Sequence, residues 1–311
     1  MSWVDGFVGA IGKTPLIRIK SLSEKYKANI LGKAEFMNPG GSVKDRTALA
    51  LILDAERRGV LRPGGIVIEA TSGNTGIGIT HLCRSRGYRC VIYMAENHPR
   101  DKIAQLQALG AEIYLAQNAP WGHPQHYIEE AKRAADRCGA FFSNQFDNLA
   151  NRQGHYSTTG PEIWEQCEGK IDGFVCAAGT GGTLGGVSMF LKEKSEGNVK
   201  IWCAEPPGGV VFDYLRNKAV PASGSRKVNT VIKGIAQAGL TQNLVGVPID
   251  NCLRVPDDQS LQMTRDMLAE EGLFLGWSSG LNLVAACRMA KHLGEGSTIV
   301  TILCDNDVAP Y

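Results

Sequence analysis

Short apolar runs alternate with longer segments of helical spacing, and this alternation restricts the fold more than any other feature of the chain. Six runs, 66–70, 90–94, 112–115, 173–177, 200–204 and 298–303, are mostly apolar. Between them apolar residues recur every three to four positions, at 77–86, 99–109, 127–137, 161–166 and 183–192. Two more such segments, 257–271 and 279–293, precede the last run. The short runs read as strands and the longer segments as helices. Parallel strands need long crossovers, usually helical. The pattern therefore predicts an α/β fold with a parallel sheet. Such sheets place ligands at the carboxyl ends of strands, where loops lead into helices. Runs at 16–19, 28–36 and 141–142 read as further strands, and 47–58 as a helix. The stretch 206–256 is less regular, and the pattern pauses at 145–155, a place for a domain change. A length of 311 residues suits about two domains, each with its own core.

Charge and composition exclude several classes. A formal net charge of +2 points to neither nucleic acid nor an anionic membrane surface. No apolar run reaches the roughly 18–20 residues of a spanning helix. The opening Met1-Ser2-Trp3-Val4-Asp5-Gly6 lacks the basic head and apolar core of a signal peptide. The nine cysteines are odd in number and none has Cys-x-x-Cys spacing. They read as reduced thiols of a cytosolic protein, without a disulfide or zinc framework.

Three stretches carry chemistry. The first is Asn38-Pro39-Gly40-Gly41-Ser42-Val43-Lys44-Asp45-Arg46, a turn leading into a helix. Alone, Lys44 reads as a solvated side chain on a first turn. The second, Thr71-Ser72-Gly73-Asn74-Thr75-Gly76, lies between a strand and a helix. Its hydroxyls, amide and helix-end N–H groups suit a carboxylate or phosphate, although a capped polar turn has the same residue types. The third, Gly179-Thr180-Gly181-Gly182-Thr183, reads as a phosphate cradle. It is no dinucleotide fingerprint, because position 184 is Leu and no acidic residue follows about twenty positions on. It is no Walker loop either. Gly276-Trp277-Ser278-Ser279-Gly280 reads by itself as an N-cap serine, and Gln145 as a surface amide. A lysine, an anion loop and a phosphate loop together point to pyridoxal phosphate, with Lys44 forming a Schiff base.

On these runs, with Ile11-Gly12-Lys13-Thr14-Pro15-Leu16 and Thr158-Thr159-Gly160-Pro161-Glu162-Ile163-Trp164, the chain resembles the cysteine synthases and cystathionine β-synthases. These are pyridoxal phosphate enzymes of the tryptophan synthase β-like fold, fold type II. The resemblance spans nearly the whole chain. It implies a smaller mobile domain, 36–150, holding the carboxylate loop, and a larger one, 1–35 and 151–311, holding the phosphate loop. The active site would lie between them. Lys44 would be the Schiff-base lysine and the acid/base at Cα. Asn74 would bond the cofactor's phenolic oxygen, and Ser278 would face the pyridine nitrogen. Gly179, Thr180, Gly181, Gly182 and Thr183 would hold the phosphate. Thr71, Ser72, Thr75 and Gln145 would bind the substrate carboxylate.

The chemistry so implied is β-replacement: an activated serine, O-acetylserine foremost, loses its β-group to give an aminoacrylate, and sulfide adds to form L-cysteine. A cytoplasmic homodimer is implied, with serine acetyltransferase as a possible partner and no resident metal. The rivals are a cysteine desulfhydrase or serine dehydratase, a cystathionine β-synthase, and a non-catalytic partner protein. The chain departs from the family at Lys13, usually Asn, and at Ala119-Pro120-Trp121-Gly122-His123-Pro124-Gln125-His126, usually a short Gly-Met loop. It departs again at Gly234-Ile235-Ala236-Gln237-Ala238-Gly239. The ending, from Cys304-Asp305-Asn306, stops early and lacks the usual Asp-Ser-Gly pattern.

Overall fold

The computed structural model describes residues 3–71, 73–217, 230–235 and 239–306. The expected strands form two sheets. One has six strands: β1 (Leu16–Arg18), β2 (Asn29–Ala34), β7 (Gly173–Ala177), β8 (Lys200–Glu205), β9 (Asn251–Arg254) and β10 (Thr298–Leu303). Their order is β1-β2-β10-β7-β8-β9. The other has four: β3 (Ile66–Ala70), β4 (Arg89–Ala95), β5 (Glu112–Ala116) and β6 (Phe141–Phe142), in the order β5-β4-β3-β6. All pairings are parallel except β1 with β2. That exception needs no crossover between parallel strands, so β1 and β2 are joined by one short helix, Lys20–Tyr26.

Burial explains the apolar runs. Phe174, Val175, Ile201, Cys203, Val300 and Ile302 are buried in the six-stranded sheet because helices cover both of its faces. The helix Trp277–Leu293 is buried from Ser278 through Cys287, which accounts for its small and apolar residues. A separate core of Val67, Ile79, Leu82, Ile92 and Leu106 packs beside the four-stranded sheet.

Several boundaries shift. The helix expected at 47–58 is Lys44–Arg57, so Lys44 is its first residue. The helix expected at 77–86 begins at Asn74. The pause at 145–155 contains a helix, Ala150–Ser157, whose Asn and Gly content hid it. Glycine weakens a helix in isolation, but Gly186 lets this helix approach the helix Gly182–Lys194. A Cβ at Gly186 would lie 2.3 Å from Arg152 O. The irregular stretch contains a short helix, Val211–Asn217, and β9. Residues 218–229, Ala236-Gln237-Ala238 and the last five positions lie outside the described residues. Among the described residues, no helix is long and apolar enough to cross a membrane, and no cluster of residues could hold a metal. Seven of the free cysteines are buried, with Cys304 half-buried and Cys138 exposed.

Candidate active site

The carboxyl ends of β3, β7 and β10 open onto one cavity of about 760 Å³. Lys44, Thr71, Asn74, Thr75, Gln145, Gly179, Thr180, Gly181, Thr183 and Ser278 line it. Of the other expected residues, Gly182 sits behind the wall, where a Cβ would lie 2.0 Å from Asn151 Oδ1. Ser72 lies outside the described residues.

Lys44 is held by its surroundings on both sides in sequence. Lys44 N donates to Ser42 Oγ at 3.2 Å, and Val43 N to Cys304 O at 2.9 Å. Asp45 turns away and accepts from Gly40 N at 2.6 Å. Burial pushes its carboxyl up to about 7, only partly opposed by that bond. Arg46 anchors the helix to the six-stranded sheet. Its guanidinium forks onto Glu35 (2.7 and 2.9 Å) and Glu162 (2.7 and 2.7 Å). Lys33, wholly buried on β2, pairs with Glu162 at 2.7 Å. Two cations and two carboxylates thus neutralise one another in the interior, and each carboxylate is paired as burial demands. Among the described residues the Lys44 ammonium has no ion-pair partner. It is the cation left facing the cavity from this segment.

The glycine turn is built for an anion. Gly181 has a left-handed backbone (φ 82°) just before the helix Gly182–Lys194. The N–H groups of a helix's first turn lack acceptors within the helix and form its positive end. Side chains cannot fit here: a Cβ at Gly179 would lie 2.0 Å from Gly234 O, and one at Gly181 2.4 Å from Leu244 Cγ. Asn151 Nδ2 donates to Thr180 Oγ1 (3.0 Å), and Thr241 Oγ1 to Thr180 O (2.8 Å), so the turn is braced from behind. A buried histidine that the sequence did not advertise, His155, meets three threonines. Its ring nitrogens lie 3.4 Å from Thr47 Oγ1, 2.9 Å from Thr159 Oγ1 and 3.2 Å from Thr183 Oγ1. Burial, then the charges of Arg46 and Lys44, lowers its pKa to about 3, so it is neutral. It joins the Lys44 helix to the glycine turn without adding charge.

The Thr71–Thr75 turn shows the same logic. Asn74 opens its helix with Gly73 as N-cap and no side-chain cap. Thr75 and Gln145 are buried, so Gln145 is not the surface amide expected of it alone. Its Nε2 donates to Ala70 O (3.2 Å) and Glu69 Oε1 (3.4 Å). Glu69 is an acid at the end of an apolar strand, a signal the sequence carries. It is fully buried and accepts from Ser143 Oγ at 2.7 Å. Burial raises its carboxyl to about 7 against the lowering effect of its bonds. Ser278 is not an N-cap: Gly276 takes that place, and Ser278 faces the cavity from the first turn. Cys176, Cys304, Tyr127 and Asp305 also line the cavity. Burial first, then the Asp305 charge, raises the Cys304 thiol to about 11. Burial, then Glu69, raises Tyr127 to about 12.

The unusual 119–126 loop holds no metal site among the described residues. His126 Nδ1 instead accepts from Ile128 N at 3.3 Å and caps the helix Tyr127–Cys138. Trp121 meets Phe146 edge-on at 5.3 Å. Lys13 has a left-handed backbone (φ 49°), which explains why Asn suits that position.

The donor set fits a phosphorylated aldehyde. A glycine cradle at a helix N-terminus can take the phosphate, and the Lys44 amine, at the start of its helix, can take the aldehyde. The comparisons agree. The model of the family described as pyridoxal-phosphate dependent enzyme matches residues 8–305. Cysteine synthase 1 of Neurospora crassa is 51% identical over 306 residues, covering 96% of this chain and 80% of the relative. Cysteine synthase of Dictyostelium discoideum is 42% identical over 312 residues, covering 97% and 82%. Among solved structures, O-ureido-L-serine synthase superimposes with a TM-score of 0.88 at 32% identity, covering 97% of this chain and 92% of that one. A hydrogen sulfide-producing enzyme from Fusobacterium nucleatum gives 0.87 at 31% identity, covering 98% and 97%. The fold, the cavity and these relatives agree, and the chain belongs to the pyridoxal-phosphate dependent enzymes.

Proposed function

We propose that this enzyme forms L-cysteine by β-replacement, from an activated serine such as O-acetylserine and sulfide. The observation that carries the reading is the convergence of Lys44, the glycine cradle and the Thr71–Thr75 turn on one cavity. Bound pyridoxal phosphate supplies an aldehyde to hold the amino acid and a ring to accept the electrons left at Cα. Lys44 removes the α-proton and later returns it, acting twice at one carbon. Gly179, Thr180, Gly181, Gly182 and Thr183 take the phosphate. Asn74 bonds the phenolic oxygen. Thr71, Ser72, Thr75 and Gln145 hold the substrate carboxylate and fix the α-proton toward Lys44. Ser278 offers the pyridine nitrogen a hydroxyl, which cannot retain a ring proton as a carboxylate would. Loss of the β-group is then the favoured outlet.

Residues 36–150 act as the smaller, mobile domain, which closes when the carboxylate binds and excludes water from the reacting carbon. Residues 1–35 and 151–311 form the larger one. The four-stranded sheet falls within the first range and the six-stranded sheet within the second, which supports this division. The enzyme works as a cytoplasmic homodimer, and serine acetyltransferase is a candidate partner.

Product analysis with O-acetylserine, O-phosphoserine and cysteine, each with and without sulfide, tests the reading. Cysteine formed from O-acetylserine only when sulfide is present supports it. Pyruvate and ammonia from cysteine without sulfide would establish a lyase instead. That second reading has its support in the likeness to the hydrogen sulfide-producing enzyme.

A further inference from the structure

The amide of Asn74 is held by a residue no motif singles out. Asn74 Nδ2 donates to Asp305 Oδ2 at 2.6 Å, the length of a charge-assisted bond. The bond spans the cavity's two sides. Asn74 opens a helix beside the four-stranded sheet, and Asp305 follows β10 of the six-stranded sheet. Only the NH₂ end of an amide can face a carboxylate, so the bond also decides which way the amide points.

Asp305 is itself tied to the segments that carry the other expected cofactor ligands. Gly276 N, two residues before Ser278, donates to Asp305 O at 2.9 Å. Ser42, two residues before Lys44, pairs with Asp305 in an isolated antiparallel bridge. Val43 N donates to the carbonyl of neighbouring Cys304. The stretch 304–305 thus joins the segments that carry Lys44, Asn74 and Ser278. An NH₂ group has two hydrogens. With one engaged by Asp305, rotation of the amide is blocked and the second N–H is directed.

We propose that Asp305 is the positioning residue for Asn74: it fixes the amide so that its second N–H meets the phenolic oxygen of pyridoxal phosphate, and it places a carboxylate charge near that oxygen. The proposal rests on the site reading above. A nearby negative charge favours the protonated form of whatever it faces. Asp305 therefore raises the pH at which the bound cofactor changes its absorption.

The test uses the holoenzyme of the wild type, Asp305→Ala, Asp305→Asn, Asn74→Ala and the double alanine variant. The readouts are the visible absorption of bound pyridoxal phosphate across pH and its dissociation constant by equilibrium dialysis. Asp305→Ala is expected to lower the pH midpoint of the absorption change and to weaken cofactor binding about tenfold. In cofactor affinity the double variant is expected to lose no more than Asn74→Ala alone, because the positioning effect of Asp305 acts through the amide. Asp305→Asn keeps an oxygen to accept the Asn74 N–H. It should hold affinity within about twofold of wild type while lowering the pH midpoint of the absorption change, which a merely structural role would leave in place. A wild-type spectrum and midpoint in Asp305→Ala, or additive losses of affinity in the double variant, overturn the proposal. If Asp305→Ala does not fold, an unchanged midpoint in Asp305→Asn overturns it. Borohydride reduction of the holoenzyme that attaches no cofactor to Lys44 overturns the site reading itself. Cofactor attached to Lys44 by reduction, with a band unmoved in both Asp305 variants, overturns only the role given to Asp305.

Discussion

Thr75 Oγ1 donates to Gln145 Oε1 at 2.5 Å, so two residues seventy positions apart and expected to bind the same carboxylate are bonded to each other. The bond fixes the amide: its oxygen faces Thr75, and its nitrogen faces Glu69 and Ala70 O. Backbone N–H groups at the start of the Asn74 helix are among the donors open to an incoming anion, and the Thr75–Gln145 bond holds that turn in place.

Thr75→Val and Gln145→Ala should therefore each raise KM for the amino-acid substrate by about tenfold, the worth of the one hydrogen bond that holds the turn. The double variant should lose less than the two singles combined. Steady-state kinetics of all three checks this, and the absorption of bound cofactor should stay unchanged.

Lys44→Ala should lower kcat by roughly 10²–10⁴-fold or more, the range for a lost general acid/base. The phosphate cradle is separate from this side chain, so dialysis should still find pyridoxal phosphate bound. Substantial turnover in this variant would remove Lys44 from its assigned place.

Glu69 predicts how stability changes with pH. Its carboxyl is raised in the folded state to about 7, from an ordinary 4.5. A raised pKa means the fold prefers the protonated form. That stability is complete below 4.5 and is lost as pH rises through about 7, on the order of 3 kcal/mol. Glu69→Gln should flatten this part of the profile in thermal melts followed across pH. Asp45 is shifted in the same direction and will leave a residual slope.

Glu162 predicts the opposite slope at acid pH. Burial raises its pKa, but the bonds and charges of Arg46 and Lys33 outweigh it and bring the group down to about 2 from 4.5. The stability from this ionised group is complete above 4.5 and is lost as pH falls through about 2, on the order of 2 kcal/mol after screening. Glu162→Gln should lose that dependence. Arg46→Ala, which leaves Glu35 buried and unpaired, should cost about 3–5 kcal/mol in denaturant titrations at neutral pH.

Much of this protein is legible in its amino-acid sequence. Strand periodicity depends on neighbours in sequence, so β3, β7 and β10 appear where their apolar runs stand. The glycine turn and Lys44 are also local: each needs only its own few residues to be recognised. The bounds that shifted did so because tertiary contacts outweighed local preference, as at Ala150–Ser157, where close packing at Gly186 compensates a poor helix former. Gln145, Ser278, His155 and Asp305 belong to another class. An amide, a hydroxyl, an imidazole or a carboxylate looks the same in sequence whether it faces water or a ligand. The tertiary structure alone decided that His155 is buried against Thr47, Thr159 and Thr183, and that Asn74 meets Asp305 across 231 positions of chain. Sequence records which groups can bond. Only the packing of two sheets around one cavity determines which partners are within reach and which groups have lost their water.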